Sequence, residues 1–121
     1  MTPERVVLVG ANLLVGSRVE AVARAAGRTF SSARDTADLE HRLTGGEPAF
    51  VLIDLSAPGV DLGGVVDAAR RHRARMVVAF GPHKDVESRA RALAAGCDRW
   101  LPNSKLAAEL PKLLADGNKP C

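Results

Sequence analysis

Aromatic side chains are scarce in this chain of 121 residues: one Trp, three Phe and no Tyr. A platform of stacked rings for single-stranded nucleic acid is therefore not expected. Cysteine is nearly absent as well. Cys97 and Cys121 match no metal or redox spacing. Cys97 reads as a small buried hydrophobe, and Cys121 as an accessible thiol in a frayed tail. The net charge of +3 is too small to argue for nucleic acid alone. The densest basic stretch, Arg70 to Arg75, reads as a solvated helix end, where cations suit the helix dipole. No apolar run approaches the length of a membrane span, and Met1 to Arg5 lack the layout of a signal peptide. A cytoplasmic protein without membrane or nucleic-acid partners is the expectation.

What is present is a core's worth of apolar residues, 46% of the chain, enough for one domain at this length. Apolar runs occupy Arg5 to Val9, Ala49 to Ile53 and Met76 to Phe80. Weaker ones lie at Arg28 to Ser31 and Arg99 to Leu101. The three strong runs are continuously apolar, as in strands covered on both faces. Helical patterns separate them. Val15, Val19, Val22 and Ala23 share one helical face, with Gly27 as a stop. Asp35 or Thr36 caps a helix carrying Leu39 and Leu43, which ends at Gly45-Gly46. Val65, Val66 and Ala69 mark a third. A fourth is capped by Asp85, directs Val86, Ala90, Leu93 and Ala94 inward and stops at Gly96. Leu106, Leu110, Leu113 and Leu114 mark a fifth. Pro111 either kinks that helix or opens it as a first-turn residue, the second option being preferred. Strand–helix alternation predicts an open α/β sheet. One domain is expected over residues 1–115, with a flexible tail over 116–121.

Ligands of such sheets bind beyond the carboxyl ends of the strands. Gly10, Ala11 and Asn12 follow the first strong run, Asp54 to Asp61 the next, Gly81 to His83 the third, and Pro102 to Ser104 the last. His83 reads as a surface loop histidine. The Gly10 to Gly16 segment lacks the spacing of a dinucleotide turn, and no nucleophile–base signature is present.

With Val51 to Gly63 and Ala92 to Leu101 in order, the chain resembles the receiver domains of two-component response regulators over residues 4 to 115. The resemblance implies a flavodoxin-like, receiver-like five-stranded parallel sheet of order 2-1-3-4-5 with helices on both faces. It implies that Asp54 stands at the phosphoacceptor position. The family's paired acidic residues fall on Gly10 and Ala11, its Thr or Ser on Gly81, and its Lys-Pro on Asn103-Ser104. Trp100 stands where the family has a switch aromatic. Of the polar parts only Asp54 remains. Sliding the last loop would bring in Lys105 but would not restore a magnesium site. Asp54 otherwise reads as a solvated loop carboxylate or a cap, and Trp100 as a half-buried core residue or an interface anchor.

The resemblance thus implies a degenerate, pseudo-receiver module that is not an enzyme and needs no cofactor. Its partner is expected to be a separate signalling protein, with a second copy as one candidate. In the family the helix-four, strand-five and helix-five surface mediates such contacts. Here that surface contains Arg89, Arg99, Trp100 and Leu106. The rivals are a phosphorylatable single-domain regulator using Asp54 and a small α/β nucleotide- or cofactor-binding protein or enzyme.

Overall fold

A strand covered on both faces must be apolar at nearly every position. In the computed structural model this holds along β3 (Ala49–Asp54), where every residue is buried. The structure describes residues 5–10, 12–45, 49–56, 60–82 and 86–116. Ala11, Gly46, Ala57 to Gly59, His83, Asp85 and Cys121, all singled out in the sequence, lie outside the described residues. The chain alternates without exception: β1 (Arg5–Val9), α1 (Leu13–Ala25), β2 (Phe30–Ala33), α2 (Thr36–Leu43), β3, α3 (Leu62–Arg71), β4 (Met76–Gly81), α4 (Val86–Ala94), β5 (Arg99–Pro102) and α5 (Asn103–Asp116). The strands are parallel in the order β2-β1-β3-β4-β5, as expected from the resemblance.

Alternation of side chains along each strand divides the core into two layers. Val7, Val9, Val51, Ile53, Val77 and Ala79 point toward α2, α3 and α4 and pack with Leu39, Val65 and Ala92. Val6, Leu8, Phe50, Leu52, Val78 and Phe80 point to the other side, against Val19 and Ala23 of α1 and the leucines of α5. Side-chain caps start the helices where Ser/Asn/Asp chemistry allows. The Asn12 carboxamide oxygen accepts from the amides of Leu14 (3.0 Å) and Val15 (3.2 Å). Asp35, not Thr36, caps α2 by accepting from the Asp38 amide at 2.8 Å. Gly27, at φ +75°, follows α1 and turns the chain toward β2. Cys97 is buried as expected, which pushes its thiol up to about 11.

Four expectations need correction. β2 begins at Phe30 rather than Arg28. Arg28 is nonetheless buried, its guanidinium 4.7 Å from the Phe50 ring centroid and donating to the Leu114 carbonyl at 2.8 Å. It joins the lower edge of the sheet to the end of α5. Second, α5 runs through Pro111 and starts directly from β5 at Asn103. Pro111 is exposed, while Leu106, Leu110, Leu113 and Leu114 hold one continuous buried face across it. Third, the basic stretch is not merely solvated. Arg70 pairs with Asp98 at 3.1 Å, and Arg71 pairs with Glu40 and with Asp67.

The fourth correction concerns α4. Its buried residues are Ser88 and Ala92. Val86 is 72% and Leu93 47% exposed, and Ala90 and Ala94 are exposed too. Small side chains at 88 and 92 let the helix lie close on β4 and β5, which leaves the bulkier stripe outside. Among the described residues no helix is long and apolar enough to cross a membrane.

This orientation of α4 has measurable consequences. Leu93→Ala should change stability by no more than about 0.5 kcal/mol. Ala92→Leu should cost about 1–3 kcal/mol by overpacking. Urea denaturation of both variants checks the pair, and the opposite ranking would reverse the helix.

Candidate functional site

Asp54 ends the central strand between β1 and β4, at the carboxyl edge where open parallel sheets bind ligands. Its side chain is buried at 2% exposure. The solvated-carboxylate expectation is therefore corrected, and so is the capping one, since Asp61 caps α3. One carboxylate oxygen of Asp54 accepts from the Ser56 amide at 2.9 Å. The Leu55 amide donates to the Phe80 carbonyl at 2.9 Å. The first residues of the β3–α3 loop are thus tied to both Asp54 and β4.

Gly10 closes the other side. Its amide donates to the Ala33 carbonyl at 2.9 Å, and its φ is +156°, where L side chains are strained. A Cβ on Gly10 would stand 3.0 Å from the Asp54 Cβ and 3.6 Å from its Oδ2. A side chain at the end of β1 could therefore be accommodated only if Asp54 shifted. Asn12, two residues on, is the nearest described side chain with an oxygen after β1, and it caps α1.

Gly81 ends β4, is buried, and lies opposite Pro102 of β5. Among the described residues, a Cβ there would meet only the Leu55 Cβ, at an ordinary 3.5 Å. The hydroxyl expected at this position from the resemblance is missing from the sequence, although space for it exists. Asn103 is exposed and lines a cavity between α1 and α5, along with Arg18. Lys105 is exposed in the same helical turn. Of the four pocket positions read from the sequence, Gly10 lies beside Asp54, Gly81 lies beside Leu55, Asn103 lies along α1, and Ala11 is outside the described residues.

These residues do not fit a magnesium ion. Such an ion favours a near-octahedral shell of oxygens, usually anchored by more than one protein or phosphate group. Here Asp54 offers a carboxylate already bonded to the Ser56 amide, and Gly10 offers no side chain. Among the described residues no group of three His, Cys, Asp or Glu side chains could hold a metal.

On the far side, Arg89 and Arg99 are exposed and Trp100 is half-buried. Trp100 packs on the α2–α3–α4 core layer, and its indole N–H is buried without a hydrogen-bond partner among the described residues. Leu106 is corrected: at 8% exposure it belongs to the core against α1, not to the surface. The sequence reading missed Asn12 as a cap and missed Arg18. It also missed Leu13 and Leu14, 88% and 63% exposed at the start of α1. An Asn just before an apolar helix was the available signal for the cap.

The geometry defines a class of fold. It is the receiver-domain fold, flavodoxin-like, with five parallel strands in the order 2-1-3-4-5. Solved structures that match it over most of its length are receiver domains. The receiver domain of the sensor histidine kinase PA1611 from Pseudomonas aeruginosa PAO1, which has magnesium coordinated in its active-site cleft, is 21% identical. Its TM-score is 0.75, with 93% of this chain and 95% of that one covered. The receiver domain of NtrX from Brucella abortus is 16% identical at a TM-score of 0.76, covering 93% and 96%. A CheY-like receiver domain protein from Methanospirillum hungatei JF-1 is 14% identical at 0.73, covering 96% and 97%. No family model and no curated protein matches the sequence.

The two glycines at the cleft should respond oppositely to the same change. Gly81→Ala is expected to stabilise by about 0.4–1 kcal/mol, since the site has room and the unfolded chain loses freedom. Gly10→Ala should cost about 1–3 kcal/mol from backbone strain and pressure on Asp54. Thermal or urea unfolding distinguishes them. Equal effects would show that the Gly10 backbone is not confined against Asp54.

Proposed function

We propose that this chain is a pseudo-receiver: a signalling module, not an enzyme, that binds a separate protein and makes no conventional use of Asp54 in magnesium-dependent phosphoryl transfer. The observation that carries this reading is the glycine beside the buried Asp54, where even a Cβ would stand only 3.0 Å from the Asp54 Cβ. Where a phosphoryl-accepting receiver needs acidic side chains for its metal, this chain has a glycine, with no side chain, beside Asp54. A phosphorylated Asp54 would carry roughly two negative charges, and Asn103 offers it a neutral amide. Gly81 has no hydroxyl to draw inward, so the usual link from phosphate to strand five lacks its first part.

The partner surface in this reading is the exposed side of α4 and β5. Val86 and Leu93 stand out from α4 in an apolar stripe, with Arg89 and Arg99 exposed alongside and Trp100 half-buried. Arg and Trp side chains beside apolar groups suit a protein interface. A second copy is the weaker candidate, because it would bring like-charged arginines together. The unit is proposed to be residues 1–115, acting in the cytoplasm without a cofactor.

Acetyl phosphate with Mg²⁺, followed by borohydride trapping and mass spectrometry, tests the proposal. Asp54 is expected to remain unmodified under conditions that label an active receiver. Stoichiometric reduction product at Asp54 would establish the rival, a phosphorylatable regulator.

A further inference from the structure

The helices of the α1–α5 layer do not fill the space between them. The core-facing residues of α1 are the short, β-branched Val15, Val19 and Val22. They oppose Leu106 and Leu110 of α5 across a cavity of about 200 Å³. Its floor is Phe80 of β4, which is fully buried, with Val19 and Leu110 each 1% exposed. An apolar cavity smaller than this, roughly 150 Å³, stays dry and takes up benzene. Its walls lose dispersion contacts that an apolar guest would restore.

The mouth of the cavity is positive. Arg18 and Asn103 both line it and both are exposed. Arg18 has no hydrogen bond or ion pair among the described residues. On the same two helices, Glu20 pairs with Arg24 at 2.8 Å and Glu109 with Lys112 at 3.8 Å. The first turn of α5, which begins at Asn103, carries no acidic side chain and includes Lys105. The positive end of that helix is therefore not offset by a carboxylate of its own turn. A guanidinium unpaired among the described residues, an amide donor and a helix start line the open side of a mainly apolar cavity.

We infer that the α1–α5 cavity binds a small amphiphilic anion: a medium-chain or aryl carboxylate whose apolar part fills the chamber and whose carboxylate pairs with Arg18. A tail of roughly six to ten carbons suits the volume, scaled from the benzene-sized cavity. The guanidinium fork matches a carboxylate in two parallel hydrogen bonds. This site uses none of the residues around Asp54, so it stands apart from the question of phosphorylation. Because α5 leads directly out of β5, an occupied cavity would also bear on the edge that carries Trp100.

Octanoate is the probe, with octylamine and acetate as controls, read by calorimetry and by amide NMR on the full chain. Octanoate is expected to bind saturably and to shift the amides of Val19, Asn103 and Leu110. Octylamine and acetate are expected not to saturate. Arg18→Gln should weaken octanoate roughly tenfold or more, as loss of a charge-assisted pair does. Ala107→Phe, placed on the cavity lining, should block the tail while leaving the melting curve cooperative. If Ala107→Phe fails to fold, Val15→Leu, which fills the chamber from the α1 side, serves the same purpose. Absence of saturable octanoate binding overturns the inference. So does equal binding of octylamine, or octanoate binding that survives both the charge and the filling variants.

Discussion

At the carboxyl edge of the sheet, the backbone of Gly10 and the side chain of Asp54 occupy adjoining space with almost none to spare. Gly10 is held there by its bond to Ala33 and by a φ that other residues adopt only under strain. Asp54 is held by the fully buried central strand and by the Ser56 amide. Neither can move without disturbing a strand pairing. A glycine at this point thus does two things at once. It supplies no carboxylate to the cleft, and it avoids the crowding that a Cβ would bring to Asp54.

The same principle, small residues permitting close approach, governs α4. Ser88 and Ala92 bring that helix onto the sheet and leave Val86 and Leu93 outside. The core gives up little, because the two layers are already filled by the strand residues and by Leu39, Val65 and the α5 leucines. The result is a molecule whose α4 face is both apolar and basic. On the α1–α5 side the short valines have another effect: they leave a chamber under a cationic mouth.

The sequence made the sheet readable because β1, β3 and β4 are apolar at consecutive positions, a pattern that few other environments allow. β2 was misplaced by two residues because Ser31 and Ser32 give an edge strand little apolar signal, while Arg28 is buried by a cation–π contact that no local pattern announces. The direction of α4 was unreadable for a different reason. With alanines on both of its faces, helical periodicity cannot say which stripe turns inward. At the cleft, residue identities at 10, 54, 81 and 103 were legible through the family resemblance, but contacts were not. That a Cβ at Gly10 would crowd Asp54, and that Arg18 is unpaired among the described residues, are properties of the folded arrangement.

The central claim is that the cleft around Asp54 cannot be organised by a divalent cation and a phosphoryl group. The most direct measurement is amide NMR of the native chain titrated with Mg²⁺ and then beryllofluoride, a mimic of the acyl phosphate. The Ser56 amide, which donates to the Asp54 carboxylate, and the amide of Gly10 are the reporters. The account predicts that both stay in place through millimolar Mg²⁺ and remain there when beryllofluoride is added. Saturable shifts centred on Ser56, Gly10 and Gly81, abolished by Asp54→Asn, would contradict it.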